Sequence, residues 1–221
     1  MKKDNSNLIN EGVKNILAIY EQATQTEIFD GLRWYDEAFS FCANLAENFG
    51  LSVSNVAYAG AALSPNNSWT GNQKDLISVC ASYAKGELAE LVSQFENGDK
   101  KAMQVLKVQT YPLQVIKAFY LLKTGELLTY IGQGKKTLSF ARNIAFFDSL
   151  DVTIDGHAAS IVINVRMTMK NASKVLKPSN YKDFAEAYEI AAAQVGMLPK
   201  QLQAITWVAW RRIQNVGKHN G

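Results

Sequence analysis

Apolar residues return at helical spacing along much of this chain. Over 8–25, 32–46 and 181–195 they recur every three or four positions, which places them on one face of a helix. Turn and cap residues separate the periodic segments, at FGLS (49–52), LSPNN (63–67), ENGDK (96–100), TYP (110–112), KPSN (177–180) and MLPK (197–200). The pattern predicts roughly eight to eleven short helices, each with a buried stripe.

One segment, VTIDGHAASIVINVRM at 152–167, fits either a buried helix or a strand, because its apolar run is short and rich in β-branched residues. An isolated strand in a helical chain would leave buried backbone groups without partners. We therefore expect a helix that begins near Asp155. The fold class is then all-α.

The chain shows no internal repeat and no low-complexity linker. We expect one compact domain over 1–221 that consists of two helical lobes. The lobe bounds that we draw are 55–132 for a central lobe and 1–54 with 133–221 for a second lobe.

The stretch TYIGQGKKTLSFARNI (129–144) predicts two helices joined by a tight turn at Gly132, Gln133 and Gly134. A turn of this kind exposes backbone N–H groups at the start of the second helix, where they can bind a phosphate. A Cβ would obstruct both the turn and the approach of a nucleic-acid backbone. A Gly-x-Gly pair that stands alone is more often a plain helix C-cap.

Two lysines, Lys135 and Lys136, follow the glycines. Adjacent lysines are ordinarily solvated surface charges, but a neighbouring cation and partial burial can yield a free, nucleophilic amine. Asp155 lies nineteen positions after Lys136, enough for one helix of about four turns and a return loop. Both residues could thus lie at the same end of adjacent helices. Asp155 is also a typical helix N-cap, and the two roles are compatible.

The motifs YIGQGKKT and VTIDGHA resemble those of the helix-hairpin-helix DNA glycosylase superfamily, of the endonuclease III type. That family has a hairpin of the form leucine-proline-glycine-x-glycine-arginine/lysine-lysine-threonine, followed by valine-aspartate-threonine-histidine. The resemblance covers about 55–170 and implies a helix-hairpin-helix fold. Tyr130 and Ile131 replace the leucine and proline, and no four-cysteine cluster follows, so the resemblance is to members without an iron–sulfur cluster.

The resemblance implies specific roles. Lys136 takes the position of the Schiff-base nucleophile, and Asp155 that of the essential aspartate. The implied DNA-binding residues lie on the hairpin, on the upstream AALSPNNSWTGN segment (61–72) and in the aspartate motif: Gly132, Gln133, Gly134, Lys135, Thr137, Asn66, Asn67 and His157. The implied partner is double-stranded DNA, with a flipped modified or damaged base as the substrate. The chain also resembles uncharacterised phage-encoded proteins.

Composition bears on whether the protein binds a metal, forms disulfides or enters a membrane. Cys42 and Cys80 with two histidines lack the spacing of a metal or disulfide framework, so we expect no metal and no cofactor. No signal peptide and no apolar run of membrane-spanning length is evident. We expect a monomer without membrane association, located in the cytoplasm, including that of a bacterial host if the chain is phage-encoded.

Charge is unevenly distributed. Residues 1–126 hold 11 Lys and Arg against 14 Asp and Glu, whereas 127–221 hold 12 against 6. A basic half suits a polyanionic partner, although an uneven solvated surface explains the counts equally well. Arg166, Lys170 and Lys174 form a basic stripe if they share a helix. We interpret Trp207 and Trp210 as packing residues, with arginines beyond them at the helix end.

Two functions follow. The first is a base-excision glycosylase and lyase. The second is a non-catalytic helical DNA-binding or virion-associated phage protein that retains the hairpin without the chemistry. Fold alone does not choose between them.

Overall fold

The computed structural model describes residues 5–132, 134–168, 171 and 175–215. Within these residues the chain forms eleven α-helices, one short 3-10 helix at Ala102–Leu106 and no strand, which confirms the all-α prediction. The helices are α1 (Ser6–Glu21), α2 (Gln25–Phe49), α3 (Val53–Leu63), α4 (Trp69–Ala84), α5 (Glu87–Glu96), α6 (Pro112–Thr124), α7 (Leu127–Ile131), α8 (Lys135–Ala145), α9 (Gly156–Val162), α10 (Pro178–Gln194) and α11 (Pro199–Ile213).

Two compact units divide the chain. Residues 37–145 form a middle unit, and residues 1–36 with 146–221 form a terminal unit. The two lobes expected from the sequence had bounds of 55–132 and of 1–54 with 133–221.

The middle unit is organised around α3. Its small and aliphatic residues from Val56 to Leu63 are nearly all buried, and α4, α6 and α8 pack against it. Two asparagines fix neighbouring helices: Asn72 on α4 donates to the Gly60 carbonyl at 2.9 Å, and Asn55 on α3 donates to the Leu122 carbonyl at 3.1 Å. Small side chains on α3 thus allow three helices to approach one axis.

The terminal unit packs α1, α9, α10 and α11 around one apolar core. Its largest fully buried side chains include Trp210, Tyr188 and Phe184. Gly31, at the beginning of α2, lies so close to α11 that a Cβ would lie 2.5 Å from the Ile205 Cα. The sequence pattern for 181–195 is confirmed by α10, whose periodic apolar face is this core.

The helix that we expected near Asp155 is present as α9, but it is short. Asn164 adopts a left-handed conformation at φ 50°, its N–H donates to Ile161 O at 3.0 Å, and Val165 N–H donates to Ser160 O at 3.0 Å. This pair of hydrogen bonds is a Schellman closure, which ends a helix. Arg166 therefore does not lie on α9, and it donates to the Gln214 carbonyl at 3.0 Å instead.

The proposed basic stripe is wrong for Arg166, because the helix stops before it. Lys170 and Lys174, the other two members, lie outside the described residues. In the part of the chain that the structure describes, no helix combines the length and the apolar character that a membrane crossing requires.

Candidate functional site

The turn that connects α7 to α8 has a backbone that requires glycine at its first position. Gly132 has φ 63° and ψ −139°, and its N–H donates to Leu128 O at 3.0 Å. Side-chain-bearing residues rarely adopt this combination of angles. A Cβ on Gly132 would contact nothing within 4 Å, so the requirement is conformational.

Gly134 is different. Its carbonyl accepts the Leu138 N–H at 3.0 Å, so it directly precedes α8, and a Cβ there would make only an ordinary contact with Ile131 O at 3.5 Å. The fold does not require glycine at this exposed position. What glycine provides at Gly134 is the absence of a Cβ beside the first amides of α8. Gln133, the third residue of the predicted cradle, lies outside the described residues.

The first turn of α8 presents its cations to solvent. Lys135 and Lys136 are exposed, and Thr137 is half-buried. The partial burial that the sequence argument invoked for Lys136 is therefore wrong. The first N–H groups of an α-helix have no acceptor within the helix, so this turn places backbone donors at the positive end of the helix dipole.

Asn66 and Asn67 lie in the loop between α3 and α4 and differ in environment. Asn66 is exposed in a left-handed conformation, and its amide donates to the Tyr111 hydroxyl at 3.4 Å. Asn67 donates to the Asp75 carboxylate at 2.9 Å, and its buried Oδ1 has no hydrogen-bond partner among the described residues. Asn67 therefore supports the loop, whereas Asn66 projects from it.

Asp75 joins this loop to a second one. Its buried carboxylate also accepts the backbone N–H groups of Gln109 and Thr110, at 2.9 to 3.1 Å. The second loop carries Tyr111, which is 57% exposed beside Asn66. Sequence reasoning missed Tyr111 because TYP was interpreted as a helix boundary alone.

Asp155 caps α9 and does more than cap it. Its Oδ1 accepts the Ala158 N–H at 2.8 Å, and its Oδ2 accepts the Trp207 Nε1–H at 3.0 Å. The preceding backbone is fixed by the Tyr181 hydroxyl, which accepts the Ile154 N–H at 3.2 Å and donates to Val152 O at 2.8 Å. The half-buried carboxylate thus has a defined orientation, with lone pairs left to accept from a ligand.

Sequence reasoning interpreted Trp207 as a packing residue and missed its hydrogen bond to Asp155. It is half-buried and donates to Asp155, whereas Trp210 is the packing residue, 2% exposed. The His157 ring lies edge-on to the Trp207 ring at 5.9 Å, and the Arg211 guanidinium lies 4.6 Å from its centroid. The signal available in the sequence was the i, i+4 spacing of Trp207 and Arg211, which places a cation over an indole ring on one helix face.

Other nucleophiles and cations have structural uses. Burial raises the pKa of both Cys42 and Cys80 to about 12, so neither thiol offers a thiolate near neutral pH. Arg212 donates to Glu27 and to the Gln22 carbonyl. In the described part of the chain, no group of three or more histidine, cysteine and acidic side chains is placed to hold a metal ion.

The candidate residues fall into two sets. The hairpin residues, the two asparagines and Tyr111 belong to the middle unit, and Asp155, His157, Trp207 and Arg211 belong to the terminal unit. Within each unit the structure brings residues together that are far apart in sequence, most clearly Asp155 with Trp207.

No curated protein and no solved structure matches this chain. One family does match, over residues 1–214: the chain belongs to DUF7178, a family of unknown function.

Proposed function

We propose that this protein is a DNA base-excision glycosylase with AP lyase activity, in which Lys136 is the nucleophile and Asp155 the activating carboxylate. The observation that carries the proposal is the environment of Asp155. A carboxylate that only caps a helix needs one N–H contact, but that of Asp155 has a second, from Trp207 Nε1. Fixing both oxygens orients negative charge toward a bound group, which is how enzymes stabilise positive charge that develops in a transition state.

The substrate in this proposal is a modified or damaged base in duplex DNA, extruded from the stack. Extrusion costs a few kcal/mol and is cheapest for weakly paired bases. The hairpin is the proposed contact to the phosphate backbone, since no Cβ at Gly134 stands between a phosphate and the first amides of α8. Lys135 adds a positive charge at the same turn, and Thr137 adds a hydroxyl.

The proposed chemistry proceeds through an imine. The neutral amine of Lys136 attacks C1′ of the deoxyribose, the bond from C1′ to the base breaks, and the base leaves with the bonding electrons and takes up a proton. Asp155 stabilises the cationic character of the sugar, and the proton that the amine gives up passes to solvent. The sugar ring then opens to an imine, loss of a C2′ proton expels the 3′ phosphate, and water releases the amine.

Borohydride trapping tests this directly. Wild type incubated with duplex DNA containing an abasic site and sodium borohydride should form a covalent adduct. Lys136→Ala should form none, while Lys135→Ala should still form it, and Lys74→Ala, which removes an exposed lysine on α4, should behave as wild type. Absence of an adduct from wild type, or an adduct that persists in Lys136→Ala, would reject Lys136 as the nucleophile.

A second function is favoured by one observation, the exposure of Lys136, because the sequence argument for a nucleophilic amine invoked partial burial. This function is duplex binding through the hairpin without chemistry. It requires affinity for DNA that falls steeply with salt, because phosphate contacts release counterions. Salt-dependent binding without a trapped adduct would support this second function, and no binding at low salt would reject both.

A further inference from the structure

The Trp207 ring has two side-chain neighbours besides Asp155. The His157 ring meets it edge-on at an interplanar angle of 84°, and the Arg211 guanidinium covers it at 4.6 Å from the ring centroid. Edge-to-face and cation contacts of this kind each favour one orientation of an indole ring. His157 and Arg211 therefore help to fix the direction of the Trp207 Nε1–H bond, and neither of these two contacts involves the Asp155 carboxylate.

The Nε1–H bond ends on Asp155 Oδ2 at 3.0 Å, while Oδ1 is held by the Ala158 N–H. One donor leaves a carboxylate free to rotate about its Cβ–Cγ bond, but two donors on different oxygens fix the plane of the group. We propose that Trp207 is a positioning residue: its indole N–H sets the orientation in which the Asp155 carboxylate meets the reacting sugar. This role rests on the proposed function, because it acts through Asp155.

Trp210 supplies a matched control on the same helix. It lies three residues after Trp207, and its buried Nε1 has no hydrogen-bond partner among the described residues. A Trp→Phe change at either position removes an indole N–H and keeps an aromatic ring. Trp207→Phe removes a donor that holds Asp155, whereas Trp210→Phe removes one that has no acceptor in the described part of the chain.

The first measurement is the single-turnover rate of adduct formation or base release, with DNA affinity measured separately. A hydrogen bond to a charged group is worth enough to slow the step roughly 10- to 100-fold when it is lost. We expect that loss in Trp207→Phe with duplex affinity within about 2-fold of wild type. Trp210→Phe, once shown by its thermal transition to be folded, should react at the wild-type rate.

The second measurement does not depend on activity. The indole N–H resonances of the four tryptophans are assigned by substitution, and wild type is compared with Asp155→Asn. An amide side chain offers one oxygen, so it cannot serve both the Ala158 N–H and the Trp207 N–H in their present places. The Trp207 indole proton should shift upfield and exchange faster in Asp155→Asn, while the Trp210 indole proton stays where it is.

The outcomes separate the two claims. An inactive wild type rejects the proposed function, and with it the role of Trp207 in catalysis, while the resonance shift still decides whether the hydrogen bond exists. If wild type is active and Trp207→Phe reacts at the same single-turnover rate, the positioning role of Trp207 is rejected and the proposed function stands. An indole proton of Trp207 that ignores Asp155→Asn also overturns the positioning role, even if Trp207→Phe proves unstable.

Discussion

The Glu27 carboxylate accepts the Arg212 Nε–H at 2.7 Å and a second Arg212 N–H at 3.1 Å, which joins the last turn of α11 to the first turn of α2. Glu27 also accepts the Thr24 backbone N–H at 2.9 Å, and the Thr24 hydroxyl accepts the Glu27 N–H, so the two residues form a capping box. The hydrogen bond from Arg212 lowers the pKa of Glu27 from its ordinary value of 4.5.

A lowered pKa in the folded chain makes stability depend on pH in one direction. The contribution of Glu27 is present above its ordinary pKa and is lost as pH falls through its folded pKa. We expect Glu27→Gln to lower the free energy of unfolding by about 1 kcal/mol at neutral pH. Urea unfolding should show that this difference in stability between variant and wild type vanishes at a pH below the folded pKa of Glu27.

The control for that experiment is an exposed ion pair within one helix. Glu11 and Lys14 pair at 2.7 Å on α1, and both side chains are largely exposed. Glu11→Gln should change stability by only a few tenths of a kcal/mol. An effect of Glu27→Gln as small as that of Glu11→Gln, or one that persists in acid, would contradict the assignment.

The two hairpin glycines should respond differently to alanine. Gly132→Ala forces a side-chain-bearing residue into an unfavourable backbone conformation, at a cost of about 1–3 kcal/mol. Gly134→Ala meets only an ordinary contact and should retain wild-type stability. If the hairpin binds phosphate, Gly134→Ala should nevertheless weaken duplex affinity, since its Cβ enters the space beside the first turn of α8.

Thermal unfolding and DNA titration on the same preparations separate these effects. Equal losses of stability in both variants would contradict the backbone argument. Full affinity in a stable Gly134→Ala variant would remove the phosphate role from the hairpin.

Lys200 is buried at 2% exposure, and its ammonium donates to the Phe146 carbonyl at 2.7 Å. Burial lowers the pKa of Lys200, and this effect outweighs the negative charges of Asp36 and Asp148, which raise it. A lysine with a lowered folded pKa binds fewer protons than the unfolded chain does between its folded and unfolded pKa values, so stability rises with pH across that window.

Lys200→Met keeps the aliphatic stem and leaves the Phe146 carbonyl without this donor, at a cost of about 1–3 kcal/mol. Wild type should gain stability relative to Lys200→Met as pH rises toward 10.5, the ordinary pKa of lysine. Denaturant unfolding at several alkaline pH values measures this. If the stability advantage of wild type over Lys200→Met shrinks as pH rises over that range, burial does not lower the pKa of Lys200.

The sequence was informative where a local rule applies and silent where tertiary contacts decide. Helical periodicity predicted the helices, and cap chemistry placed the start of α9 at Asp155, because both are local signals. The end of α9 was missed, although Asn164 is a residue type that tolerates the left-handed closure seen there. Trp207 could not be linked to Asp155 from sequence, since 52 positions separate them.

Exposure was equally hard to foresee. A nucleophilic Lys136 was argued from partial burial beside the charge of its neighbour, but exposure depends on which helices cover the first turn of α8, and the described side chain is exposed. The opposite case is Lys200, whose burial is set by packing of the terminal unit and which has no distinguishing motif around it.

The exposed pair Asn66 and Tyr111 should depend on Asp75 for its placement. Asp75→Ala would leave the N–H groups of Gln109 and Thr110 and the Asn67 amide without their acceptor, and we expect a loss of about 3 kcal/mol in stability.

Tyr111→Ala removes an exposed side chain and should leave stability within about 0.5 kcal/mol of wild type. If the loops that carry Asn66 and Tyr111 contact DNA, Tyr111→Ala should also lower duplex affinity, because an exposed aromatic ring is a stacking surface for bases. Leu113→Ala, a comparably exposed position on α6, is the matched control for the loss of apolar surface alone. Equal affinity losses in Tyr111→Ala and Leu113→Ala would indicate a general apolar effect, and no loss in either would exclude this edge of the middle unit from DNA contact.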